Sequence, residues 1–258
     1  MMERSGFALE QLAAGYPGRP VLQGVNLPGV PAGTLVAVVG PNAVGKSTLL
    51  KAVAGLRPAQ GHVWLEGTDL STLPARERLR RVGYLPQALP QSTSLVAYET
   101  WQSALRASRS EWSTAQREAA IESVVAALGL SALALRRLDE LSGGQRQMVG
   151  LAQVIVRAPR LLLLDEPTSS LDDDEVQKLF QVLRKLRDEG LAIVFVSHFL
   201  NQVYAISDRI TVLRNGSWVG EWLASDLPAP ALSAAMLGRE LAAQSAHAPA
   251  PNAVDAAT

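Results

Sequence analysis

The run Gly40-Pro41-Asn42-Ala43-Val44-Gly45-Lys46-Ser47-Thr48 fits the pattern G-x-x-x-x-G-K-[ST] and passes straight into the helix-like stretch Leu49 to Ala54. Glycines in such a loop let backbone N–H groups converge on phosphate oxygens, and the following helix start adds positive potential. Lys46 is then placed to reach the β and γ phosphates, and Ser47 to ligate magnesium. A second group of acids, Asp165-Glu166, closes the apolar run Leu161 to Leu164. At the end of a buried strand these carboxylates would face the phosphate loop, Asp165 holding magnesium directly or through water and Glu166 polarising a water for attack. A third segment, Leu141-Ser142-Gly143-Gly144-Gln145, precedes a helical stretch from Arg146 to Val156 and offers a serine cap at another helix start suited to an anion. Alone, the acids would read as a solvated strand end and the Ser-Gly segment as a turn. Together with the loop they describe a site for a nucleoside triphosphate and Mg2+.

Such residues need a rigid frame, and the apolar pattern supplies one. Nearly unbroken runs at Leu35 to Val39, Val82 to Leu85, Leu161 to Leu164 and Leu191 to Val196 suit central strands of a parallel sheet covered on both faces. After Asp172 the apolar residues Val176, Leu179, Phe180, Leu183 and Leu186 fall on one helical face, with Asp173, Asp174 and Glu175 in the first turn and Gly190 as the stop. Strands alternating with helices predict an α/β fold. Gly61 to Glu66 alternates like a half-buried strand, and Asn215-Gly216 between Ile210 to Leu213 and Ser217 to Trp222 is a hairpin signal, so some antiparallel sheet is expected. Between Ala88 and Pro159 the strand signals fade, while Ile121, Val124, Val125 and Leu128 form a stripe that ends at Gly129, which predicts an inserted helical subdomain. The organisation read from this is a core in two parts, residues 1–87 and 159–228, a helical subdomain at 88–158, and a frayed tail at 229–258.

Bulk properties remove several function classes. Lys plus Arg and Asp plus Glu balance at 24 each, so the charge excess that draws proteins to nucleic acid is lacking. With no cysteine and only three histidines, neither a disulfide framework nor a thiolate or histidine-rich metal site is expected. Met1 to Gly6 has no signal-peptide pattern, and the apolar runs fall far short of the ~20 residues of a membrane-crossing helix. Any membrane role is expected to be peripheral.

The order GPNAVGKST, Gln87, LSGGQ, LLLLDEPTSSLD, His198 resembles the ATPase subunits of ABC transporters over nearly the whole chain up to about Leu227. This resemblance implies the ABC ATPase fold: a P-loop NTPase core with a mainly parallel sheet, an antiparallel β subdomain and an inserted helical subdomain. It also implies that two copies meet head to tail as a homodimer, each ATP lying between one copy's phosphate loop and the other's LSGGQ, so that Ser142, Gly143, Gly144 and Gln145 act in trans. Carried over onto this sequence, Tyr16 stacks on adenine, Gln87 senses magnesium and the attacking water, and His198 contacts the γ phosphate. The segment Ser169 to Asp172 crosses the dimer interface with Asp172 as the contact, although an N-cap for the next helix is also a sufficient reason for that aspartate.

Within the family, LSTLPARERLRRVGYLPQ and LSGGQRQMVGLAQVIVRAPRLLLLDEPTSSLD look like the subunits that drive import of iron-siderophore complexes, haem or vitamin B12. That likeness implies two transmembrane permease subunits, an extracytoplasmic substrate-binding protein, and a place on the cytoplasmic face of the inner membrane. Phe199 stands where family members usually have aspartate, and Asp172-Asp173-Asp174 differs from the common continuation. A soluble ABC protein of translation or repair would carry a second phosphate loop or a long coiled-coil insertion. A GTPase would show N-K-x-D, and this sequence has none of these three features.

Overall fold

The computed structural model describes residues 6–88 and 94–238. It opens with strands β1 (Phe7–Tyr16), β2 (Arg19–Val30) and β3 (Leu35–Val39), then helix α1 (Lys46–Val53), β4 (Ala59–Leu65), β5 (Thr68–Asp69), α2 (Ala75–Arg81) and β6 (Val82–Leu85). Helices α3 (Ala97–Ser108), α4 (Thr114–Ala127) and α5 (Gly143–Ile155) follow. The chain continues through β7 (Leu161–Asp165), α6 (Asp173–Asp188), β8 (Ala192–Val196), α7 (Leu200–Ile206), β9 (Arg209–Arg214), β10 (Ser217–Leu223) and α8 (Ala229–Leu237).

The larger sheet has six strands in the order β10-β9-β3-β8-β7-β6, parallel throughout except for the edge hairpin β9–β10. Its central strands divide their side chains by a period of two. Leu35, Ala37, Val39, Leu162, Leu164, Ile193 and Phe195 pack into one apolar cluster, and Val36, Val38, Leu161, Leu163, Val194 and Val196 into another. Both faces are therefore buried, which explains why these strands read as unbroken apolar runs. On the first face lie residues of α3 to α8; on the second lie α1 and the four-stranded antiparallel sheet β2-β1-β4-β5.

Helix α6 begins as its sequence predicts. Asp172 Oδ1 accepts the Glu175 N–H at 2.8 Å, and the Glu175 carboxylate accepts the Asp172 N–H at 3.1 Å, a reciprocal cap that satisfies two otherwise orphaned donors. Helix α3 is anchored by Trp101, which is fully buried and donates its indole N–H to the Val149 carbonyl of α5 at 3.0 Å. Trp101→Ala leaves a large cavity in that contact and removes the hydrogen bond. It is expected to lower unfolding free energy by roughly 3–5 kcal/mol, read from the urea midpoint.

Some expectations change in the structure. The antiparallel signals belong to two sheets: Gly61 to Glu66 falls in and just beyond β4 of the smaller sheet, whereas the Asn215-Gly216 hairpin extends the larger one. The long pair β1–β2 carries no clean alternation because its register shifts repeatedly, with Gln11 in the left-handed region at φ 51°. The stretch from Ala229 begins as a helix rather than a tail. Leu232 of α8 is fully buried, Pro230 lies in the first turn where a missing N–H costs nothing, and Arg214 donates to the Ala235 carbonyl at 3.0 Å. The remainder, residues 239–258, lies outside the described residues, as do residues 89–93 of the expected helical subdomain.

Candidate nucleotide site

The loop between β3 and α1 turns sharply at two glycines. Gly40 has φ 154°, and a Cβ there would stand 2.2 Å from the Leu213 carbonyl oxygen. At Gly45, with φ 110°, a Cβ would press on Leu22 at 2.8 Å and Val21 at 2.9 Å. Side chains at these places would force the loop away from β9 and β2, so both glycines are required by close approach. Ala43 takes φ 62° without that freedom. The curl folds the Lys46 ammonium back onto the Gly40 and Pro41 carbonyls at 2.8 and 3.0 Å. Burial pulls the Lys46 pKa below its ordinary value, and the charges of Glu166 and Asp165 partly offset that. Among the described residues this cation has carbonyl partners and no carboxylate within ion-pair distance, a state in which an arriving phosphate oxygen meets little competition.

Strand β7 delivers the two acids differently. Asp165 is buried at 3% exposure; its Oδ1 accepts from the Ser47 hydroxyl at 2.8 Å and its Oδ2 from the Tyr84 hydroxyl at 3.1 Å. Burial first, and then the Asp165 carboxylate, pushes the Tyr84 phenol well above its usual range, so Tyr84 stays a hydrogen-bond donor. Glu166 leaves the strand with φ 48° and donates its backbone N–H to the Val196 carbonyl at 3.0 Å. That turn points its carboxylate to the other side, where Oε2 accepts from Gln87 Nε2 at 3.0 Å and faces His198 Nδ1 at 3.2 Å. The His198 ring leans on Phe199, with centroids 3.9 Å apart. Gln87 and His198 follow β6 and β8, the two strands flanking β7, so adjacent strand ends bring three polar side chains to one point.

Lys46, Ser47, Gln87, Glu166 and His198 open on a cavity of about 840 Å³ whose walls also include Tyr16, Asn42, Ala43, Gly45 and Thr48, while Asp165 touches Ser47 from outside that lining. Tyr16 is half exposed; Arg57 covers one of its faces at 3.9 Å and donates to the Gly15 carbonyl at 3.0 Å. Gly40, Pro41 and Val44 shape the loop from behind without lining the cavity. Ser142 to Gln145 and Asp172 are absent from its lining. Ser142 caps α5, its Oγ accepting the Gln145 N–H at 3.1 Å while Gln145 Oε1 accepts the Ser142 N–H at 3.1 Å. Gly144 is packed so closely that a Cβ would fall 2.0 Å from the Glu175 carboxylate, which ties the Ser-Gly-Gly-Gln segment to the start of α6. Sequence reading missed Tyr84, Arg19 and Arg57 around the cavity. Their signals are spatial: Arg19 and Arg57 belong to no motif, and Tyr84, although it stands just before Gln87, meets Asp165 only through the pairing of β6 with β7.

For a divalent cation the donor set is a hydroxyl and a carboxylate in mutual contact, Ser47 and Asp165, both hard oxygen ligands. Among the described residues no group of three or more His, Cys, Asp or Glu could cage a metal. The site therefore fits magnesium, which keeps waters and takes phosphate oxygens beside one or two protein ligands.

Comparison with known proteins agrees with this geometry. A family model described as ABC transporter matches residues 22–169. The galactofuranose transporter ATP-binding protein of Escherichia coli strain K12 is 37% identical over 90% of this chain and 47% of its own length. The fructose import ATP-binding protein of Bifidobacterium longum is 35% identical over 88% of this chain and 45% of its own. The chain thus spans about half the length of these relatives. The hemin import ATP-binding protein of Gloeobacter violaceus is 40% identical over 77% of this chain and 75% of its own length. Among solved structures, an ATP-binding subunit of an ABC transporter superposes with TM-score 0.75 at 24% identity, covering 92% of this chain and 95% of that one. A dimeric, post-hydrolysis ATP-binding cassette bound to ADP and Pi gives 0.75 at 26% identity, covering 84% of this chain and 98% of that one. Family model, relatives and fold converge with the phosphate loop, the acidic strand and the LSGGQ segment: the chain belongs to the ABC transporter family.

Proposed function

We propose that this chain hydrolyses ATP as a pair of identical subunits and that the pair powers import through two transmembrane permease subunits fed by an extracytoplasmic binding protein. The observation that carries the reading is the convergence of Lys46, the Ser47–Asp165 contact and the Gln87–Glu166–His198 group on one cavity. Lys46 exchanges its carbonyl partners for β and γ phosphate oxygens. Glu166 takes a proton from water as the water oxygen bonds to the γ phosphorus and the bond from that phosphorus to the β–γ bridging oxygen breaks. Gln87 and His198 hold the Glu166 carboxylate in place, and His198 is close enough to the cavity to meet the γ phosphate. Bound magnesium would neutralise phosphate charge, held by Ser47 and Asp165. Tyr16 offers its uncovered face to adenine.

One chain leaves this site half built, because Ser142 and Gln145 are exposed at the start of α5 and the LSGGQ segment takes no part in lining its own chain's cavity. The reading therefore requires a second copy, with Ser142, Gly144 and Gln145 completing the γ-phosphate shell across the interface and Asp172 in contact there. Absence of native cysteine makes a clean test. A chain carrying Asn42→Cys and Gln145→Cys, treated with a short bis-maleimide, is expected to form a covalent dimer when ATP is bound and hydrolysis is slow. Monomer alone, with nucleotide shown to be bound, would sink the paired arrangement.

Membrane attachment in this reading is peripheral and on the cytoplasmic face, as the likeness to importer subunits implies. Among the described residues no helix is long and apolar enough to cross a bilayer. Two cargo classes have support. The motif blocks around Gln87 and LSGGQ resemble importers of iron-siderophore complexes, haem or cobalamin, and the hemin import relative aligns over most of its own length. Galactofuranose, fructose and ribose import relatives align over more of this chain. Sugars are the better supported class by that coverage, and stimulation of turnover in the reconstituted complex by ribose or by haem separates the two.

A further inference from the structure

Tyr84 stands three residues before Gln87 and has no role in the motif reading of the site, yet it holds one of the site's two acids. On the parallel pair β6–β7, Tyr84 is in register with Leu163. Side chains alternate faces along a strand, so Leu163 and Asp165 share a face, and Tyr84 stands on that face one row back. There it packs against the apolar cluster that includes Leu50, Leu161 and Leu163, and its hydroxyl reaches forward to Asp165 Oδ2 at 3.1 Å. The other oxygen, Oδ1, belongs to Ser47 at 2.8 Å. A carboxylate exposed by only 3% needs such donors, and two donors on opposite oxygens fix the plane of the group as well as satisfying it.

We propose that Tyr84 is a positioning residue for the magnesium site: by holding Oδ2 of Asp165 it keeps Oδ1 against Ser47, so that hydroxyl and carboxylate meet the cation as one preformed pair. This rests on the nucleotide-site reading above. Without the phenol hydroxyl the Asp165 side chain can rotate, and its approach to Ser47 must be organised when the metal arrives. Metal-free nucleotide binding, which uses the loop and Lys46, does not depend on that arrangement.

The test measures binding of a fluorescent ATP analogue to the full chain, first with a chelator and then along a Mg2+ titration. It compares wild type, Tyr84→Phe, Asp165→Asn and the double variant. Tyr84→Phe keeps the ring and its apolar contacts, and an unchanged melting temperature is expected to within a few degrees. Losing one hydrogen bond to a buried charge is expected to raise the half-saturating Mg2+ concentration about tenfold, with chelator-present affinity unchanged. In the Asp165→Asn background, Tyr84→Phe is expected to add nothing. The proposal is overturned by an unshifted Mg2+ midpoint, by an equal loss of affinity under chelator, or by a shift that persists when Asp165 is already replaced. Wild-type binding that ignores Mg2+ altogether would remove the site reading and this proposal with it. A normal wild-type response alongside an identical Tyr84→Phe response would remove only the role of Tyr84.

Discussion

Glu166→Gln is expected to slow ATP turnover by roughly a hundred- to ten-thousand-fold while ATP still binds, the range that loss of a positioned general base produces. The substitution is nearly isosteric. A carboxamide oxygen can still accept from Gln87 Nε2, now 3.0 Å from the carboxylate, and the backbone turn at φ 48° is untouched. What disappears is the ability to take a proton from water next to the γ phosphate. Binding contacts at Lys46 and the loop remain, so the bound state should persist instead of decaying. Phosphate release and light scattering on the same sample read both halves: near-zero turnover should accompany accumulation of an ATP-bound dimer. Turnover within about tenfold of wild type would contradict the general-base role. A protein that binds ATP and stays monomeric would contradict the paired site.

Lys46→Ala is expected to act earlier, at binding. Its ammonium is largely buried, held by two carbonyl oxygens and lowered in pKa by desolvation. In that environment, contacts to phosphate oxygens are charge-assisted and poorly screened; losing them is expected to weaken ATP binding by about a hundredfold. Folding stability should change little, because removing a desolvated cation offsets the loss of its two carbonyl hydrogen bonds. Isothermal titration with ATP, set beside a urea unfolding curve, separates the two effects. Wild-type affinity in Lys46→Ala, or equal rates of phosphate release, would remove Lys46 from the site and with it the enzyme reading.

These two variants target residues that the sequence alone singles out for these proposed roles, whereas Tyr84 is singled out only by the structure. The difference follows from how each contact is encoded. Lys46 and Ser47 follow a glycine loop at fixed spacing, and Asp165-Glu166 terminates an apolar strand, so local sequence already carries their geometry. Tyr84 and Asp165 are 81 positions apart and meet only through the β6–β7 register. Arg57 over Tyr16, and Glu175 against Gly144, are likewise contacts between elements that no local pattern couples.

The same distinction holds for the fold. The central strands were legible because burial on both faces leaves an unbroken apolar run, and α6 because its stripe, acidic first turn and Gly190 agree. By contrast, β1 and β2 were obscured by repeated register shifts, α3 by a buried face in which Ala97, Thr100 and Ser108 stand among only two large apolar residues, Trp101 and Leu105, and α8 by an Ala- and Pro-rich composition without an apolar stripe, although it packs against β9. Sequence alone determined the phosphate loop, the acidic strand, the LSGGQ helix start and the family likeness, since each is a short-range pattern with a steric or electrostatic cause. Tertiary structure decided which sheet each antiparallel segment joins, that Asp165 is clamped from two elements, and that LSGGQ stands apart from its own chain's cavity. Those outcomes depend on side chains far apart in the chain competing for the same buried space.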